Sequence, residues 1–149
     1  MTYSYFELKT PKDMLDKARR EYHRMNENFH VDHVFNFFVT AYHIRDYILK
    51  NCSSKQDVLE KFLKDSDLKA CHDLCDKGKH LKLDSPNRVD PVVHTWQGYF
   101  GGAPFGTLPF GGVFGPRVLI TDTGTIEIKS LANRILKKWE DFFITHEIE

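Results

Sequence analysis

The chain lacks any charge imbalance. Its 149 residues carry 21 Lys and Arg against 21 Asp and Glu. That excludes a strongly basic, arm-type nucleic-acid binder and a highly charged disordered chain. It lacks an apolar run near the roughly 20 residues that a membrane-spanning helix needs. Met1 to Tyr5 have neither a basic start nor an apolar stretch, so no secretory leader is expected. Only Cys52, Cys71 and Cys75 supply thiols. An odd, small number predicts reduced cysteines in a cytoplasmic protein, not a disulfide frame. Between residues 11 and 84 proline occurs only as Pro11 and glycine only as Gly78, so little there interrupts a helix. At this length one domain with one core is expected.

Helical patterns fill that region. Thr10 and Asp13 around Pro11 predict a capped helix start. Leu15, Ala18, Tyr22, Met25 and Phe29 then mark one face, while Lys12, Lys17, Arg19, Arg20 and Arg24 mark the opposite, charged one. From about Asp32 to Asn51, Val34, Phe37, Phe38, Ala41, Ile44 and Ile48 form a stripe that Phe35, Val39, Tyr42 and Leu49 widen. So apolar a helix is expected at the centre of a bundle, where Asn36, Thr40, His43 and Asp46 would need partners. Ser54 is expected to cap a short helix, and Asp67–Lys77 to form another that stops at Gly78 in a left-handed conformation. Around Asp122-Thr123-Gly124, Val118, Ile120, Ile126 and Ile128 predict a hairpin. Ser130 is expected to cap a last helix whose Leu131, Ile135, Trp139, Phe142 and Phe143 face inward.

Residues 96–116 hold seven of the nine glycines, with Phe100, Phe105, Phe110 and Phe114 spaced along them. Pro104, Pro109 and Pro116 exclude a regular helix. The segment carries no charge and no phosphate-loop pattern. It is expected to cover the bundle or to meet a protein partner. Stacking on single-stranded nucleic acid is disfavoured, since no Lys or Arg lies between Arg88 and Arg117.

Several groups are chemically suggestive. His43, Asp46 and Tyr47 share one side of the central helix, and Lys79 and His80 follow Gly78. A histidine oriented by a carboxylate suits acid–base work or metal binding; a buried polar tie is the plainer reading. Cys71, Cys75, His72 and His80 offer soft ligands, but a second close pair is missing, so the thiols are read as core. Asp-Thr-Gly at 122–124 is read as a turn, because an aspartic protease needs two carboxylates in an all-β frame. Arg24 with His30, and Arg88 with His94, fit the arginine-to-histidine spacing of HEPN-type ribonucleases, a match that chance supplies at this composition.

Phe35 to Tyr47, with Ala41-Tyr42-His43-Ile44-Arg45-Asp46-Tyr47 at its heart, resembles the Ala-aromatic-His-x-x-Asp-aromatic helix of a group of uncharacterised bacterial and phage proteins. Cys71 to His80, ending Gly78-Lys79-His80, is similar to their Cys-Arg-Asp-Ile-Ala-Asn-Gly-Ser-Lys-His segment. A glycine–phenylalanine repeat and a hairpin before a Trp-Glu-x-Phe-Phe helix are similar too. The resemblance implies a HEPN-like helical bundle with His43, Asp46, Lys79 and His80 as its shared polar set. His72 stands where that group has arginine.

The expectation is thus a mainly α single domain over 1–149. It comprises a helical bundle (1–95), a Gly/Phe loop (96–116), and a small antiparallel hairpin with a C-terminal helix (117–149). The leading function is an accessory protein acting through protein contacts, as a homo-oligomer or with another protein. The Gly/Phe segment and the Trp139–Phe143 helix would supply the contact. Alternatives are a HEPN-like ribonuclease or defence effector using His43, Asp46, Lys79 and His80, with RNA as substrate, and a small metal-binding protein. No cofactor and no membrane contact are expected.

Overall fold

The computed structural model describes residues 4–81, 92–95, 117–121 and 124–149. The Gly/Phe segment 96–116 and Arg88 lie outside the described residues. Within them the protein is mainly α-helical, with helices α1 (Pro11–Glu27), α2 (Val31–Asn51), α3 (Gln56–Phe62), α4 (Ser66–His80) and α5 (Ile128–Thr145).

α1 starts as its sequence dictates. Thr10 Oγ1 accepts from the Asp13 amide at 3.1 Å. Asp13 in return accepts from the Lys9 and Thr10 amides at 3.0 and 2.8 Å. These backbone donors, that of Lys9 first, hold the Asp13 carboxyl below its usual range. Met14, Leu15, Ala18 and Met25 face the core. Lys17 does not stay on a solvated face: its Nζ donates to Glu21 Oε1 and to Thr40 Oγ1, both at 3.0 Å. Glu21, only 4% exposed, also accepts from Arg24 Nη1 at 2.9 Å, on the same Oε1.

α2 packs on α1, α4 and α5. It buries Phe37, Phe38, Thr40, Ala41, Ile44 and Ile48, which places it centrally. Asn36, expected inside, is exposed. Its N-cap is His30, whose Nδ1 accepts from the Asp32 amide at 3.1 Å. A single 3-10 turn, Ser53–Lys55, precedes α3, and no side chain caps α3.

α4 departs from expectation at its end. Gly78 does not stop it; the helix runs on to His80, and Leu81 adopts the positive φ of 64°. Gly78 serves close packing instead. A Cβ there would lie 2.9 Å from Phe35 Cδ2, so the missing side chain makes room for the Phe35 ring. At its start, Asp65 caps through the Asp67 and Leu68 amides. Asp67 then accepts from Arg134 Nε and Nη2 at 3.0 and 3.1 Å and from Lys138 Nζ at 2.8 Å. This cluster ties α4 to α5.

Strands β1 (Val92–Thr95), β2 (Arg117–Thr121) and β3 (Gly124–Glu127) form an antiparallel sheet in the order β1-β2-β3. Thr121 pairs with Gly124 and Val118 with Glu127, the expected hairpin. β1 adds a third strand, with His94 opposite Val118. β3 leads straight into α5. The cap of α5 is Glu127, not Ser130: its carboxylate accepts from the Lys129 and Ser130 amides at 2.9 and 2.8 Å, and Ser130 Oγ donates to it at 2.7 Å. α5 buries Leu131, Ile135, Trp139, Phe142 and Phe143. The Trp139, Phe142 and Phe143 side chains therefore fill this chain's own core.

Candidate functional site

His43 owes its place to the middle of α2, where the helix passes from its buried stripe to the seam with α4. Its Nδ1 lies 2.7 Å from the Val39 carbonyl oxygen one turn earlier. A carbonyl only accepts, so Nδ1 carries the proton and Nε2 is left as an acceptor. Lys79 Nζ reaches that Nε2 from α4 at 3.0 Å. Asp46, three residues on, approaches Nε2 no nearer than 3.9 Å, too far for a hydrogen bond. It also lies 3.8 Å from Arg45 Nε. The sequence-derived set thus assembles in part: His43 and Lys79 bond directly and Asp46 flanks them. His80, one residue past Lys79, is exposed on the last turn of α4.

The seam continues along both helices. Tyr42 stacks on His72, ring centroids 4.3 Å apart and planes 3° from parallel. His72 Nε2 lies 3.0 Å from Asp76 Oδ2. Arg45 Nη1 donates to the Tyr42 hydroxyl at 2.6 Å. Burial pushes the Tyr42 hydroxyl above its usual pKa, against the pull of Arg45. Phe35 meets Gly78 and Tyr42 meets His72, so the helices run in opposite directions. His72 is therefore a stacking partner with a carboxylate neighbour.

The soft-ligand reading meets a different environment. Cys71 is fully buried, and its thiol donates to the Phe38 carbonyl at 3.7 Å. Burial pushes both Cys71 and Cys75 thiols up, Cys71 far more, which opposes the thiolate a metal needs. Among the described residues no group of three or more His, Cys, Asp or Glu is arranged to hold a metal ion. Arg24 and His30 are both spent structurally, on Glu21 and on capping α2.

On the other flank of His43, α1, α2 and the end of α4 enclose a groove of about 370 Å³. Lys17, Thr40, His43 and Lys79 supply polar groups, and Leu8, Met14, Val39 and Tyr47 supply apolar walls. Sequence reasoning missed Lys17 here. Its partner Thr40 lies 23 positions away on another helix, and no local pattern marks such a pair. No family model, curated protein or solved structure matches this chain.

Proposed function

We propose that this protein is an accessory protein of the bacterial or phage kind it resembles, cytoplasmic, and acting through contacts with a second copy or a protein partner instead of by turnover at His43. The observation that carries this reading is the state of the His43 ring. Nδ1 is committed to the Val39 carbonyl and Nε2 to the Lys79 ammonium. A general base needs a free lone pair aimed at substrate, and an imidazole bonded at both nitrogens acts as a brace between α2 and α4.

A partner surface is supported at the end where α2 begins and α4 finishes. Val31, Phe35 and Leu81 are exposed there, the Phe35 ring resting against Gly78. Apolar side chains gathered in this way suit association. Among the described residues no helix is long and apolar enough to cross a membrane.

Sedimentation equilibrium together with an RNA-cleavage assay tests the proposal. The expected outcome is a dimer or larger species that Phe35→Ser weakens, with single-stranded RNA left intact. A strict monomer at all concentrations overturns it. So does RNA cleavage that His43→Ala abolishes, which would favour the HEPN-like ribonuclease reading.

A further inference from the structure

The geometry points to the groove between α1, α2 and Lys79 as a binding site for a small phosphate monoester carried on an apolar body of about the size of one aromatic ring. This is independent of the association proposed above.

Lys17 and Lys79 line the groove, and no carboxylate does. Lys79 has no carboxylate within salt-bridge reach among the described residues; its partners are the neutral His43 ring and the Cys75 thiol. Lys17 bonds Glu21, but Arg24 bonds the same Glu21 oxygen, so two cations share one anion. Asp46 flanks the His43–Lys79 pair, 3.9 Å from His43 Nε2, but also lies 3.8 Å from Arg45 Nε, so there too one anion is shared and positive charge stays in surplus along the wall.

Donor capacity comes next. An ammonium has three N–H donors. Lys17 uses two, on Glu21 and Thr40, and retains one. Lys79 uses one on His43 and one on Cys75 and retains one. His43 holds Lys79 in position without quenching its charge, since a neutral acceptor leaves the ammonium intact. A carboxylate in that place would have cancelled it.

The identity of the ligand follows from the donor type and the walls. Planar carboxylates are best met by the fork of an arginine, whereas two ammonium point charges suit the rounded, dianionic head of a phosphate monoester. Leu8, Met14 and Val39 give the groove an apolar floor, so bare phosphate leaves much of it unfilled. The volume of about 370 Å³ lies at the small end of the roughly 300–1,000 Å³ usual for ligand sites, which favours a small body such as one ring.

Titration of phenyl phosphate into isotope-labelled protein, followed by amide and side-chain NMR shifts, tests the site. Saturable shifts at Lys17, Thr40, His43 and Lys79 are expected, with inorganic phosphate weaker, benzoate weaker, and phenol weaker by at least about tenfold, the equivalent of 1.4 kcal/mol. Lys79→Gln keeps a donor for His43 and removes the charge. It should weaken phenyl phosphate binding by about tenfold or more, with an unchanged melting temperature showing that the fold is intact. If Lys79→Gln melts lower, Lys79→Arg restores the charge and should recover binding. The proposal is overturned if no saturable shift occurs up to about 10 mM, which corresponds to binding weaker than about 3 kcal/mol. It is equally overturned if phenol binds as well as phenyl phosphate, or if Lys79→Gln binds as the native chain does.

Discussion

The ring of Phe35 on α2 occupies the space that a side chain at Gly78 on α4 would need: a Cβ there would lie 2.9 Å from Cδ2 and 3.0 Å from Cε2. The absence of a side chain at Gly78 therefore sets the approach of the two helices that carry His43 and Lys79.

In a helix interior, glycine to alanine ordinarily stabilises by about 1 kcal/mol. At this position the contact with Phe35 opposes that gain. Gly78→Ala should be neutral or destabilising in the native background, yet stabilise a Phe35→Ala chain by about 1 kcal/mol. Urea denaturation of the four members of this cycle measures the coupling. Equal effects in both backgrounds would show that the ring does not limit the site.

The His43 ring should exist as the Nδ1–H tautomer, because the Val39 carbonyl accepts at 2.7 Å and Lys79 donates to Nε2. Long-range proton–nitrogen correlation spectra separate the two neutral tautomers. Lys79→Met should perturb the Nε2 resonance strongly and leave Nδ1 protonated. Detection of Nε2–H as the main form would refute the brace.

Asp67 should govern acid stability. The Arg134 hydrogen bonds first, and those of Lys138 next, hold its carboxyl below the usual range against the opposing effect of burial. A group whose folded pKa is depressed contributes fully above its unfolded value, about 3.9, and loses the contribution as pH falls through the folded value. Asp67→Asn should lower stability at neutral pH by about 1–3 kcal/mol, the range for hydrogen bonds to charged groups. It should also flatten the decline below about pH 4. Thermal melts of both proteins from neutral to acid pH read the difference, and parallel curves would mean that Asp67 is not the controlling carboxyl.

The start of α5 rests on Glu127, whose two carboxylate oxygens serve the Lys129 and Ser130 amides. Glu127→Ala should cost about 1 kcal/mol, as the loss of a helix cap does. Ser130→Ala should cost less, because Ser130 only donates its hydroxyl to that carboxylate. A larger loss for Ser130→Ala in chemical denaturation would reverse the assignment of the cap.

Much of the architecture was legible because it is local. The Thr10–Asp13 box and the apolar stripes of α1, α2 and α5 depend on residues within a turn or two of each other. So does the Thr121–Gly124 end of the hairpin. Glycine-stop logic failed at Gly78 for a tertiary reason: glycine suits a helix end, but it also suits a helix that another ring must approach closely. Ser130 looked like a cap, but α5 already begins at Ile128, and Glu127 accepts from the Lys129 and Ser130 amides. The third strand, Val92–Thr95, is held by pairing with β2, a non-local partner that its own short run could not announce.

The site divides along the same line. Sequence alone determined that His43 and Asp46 share a side of one helix, that Lys79 and His80 lie at the end of another segment, past its expected stop at Gly78, and that a neutral, three-cysteine chain would build a mainly α core. Tertiary structure alone decided that Lys79, and not His80, bonds His43. It also decided that Lys17 leaves the solvated face for Thr40, and that α4 runs on through Gly78 to His80. Helical periodicity places a side chain on a face through short-range geometry. Which partner faces it depends on how two helices cross, and that is set by packing at distant positions such as Phe35 against Gly78.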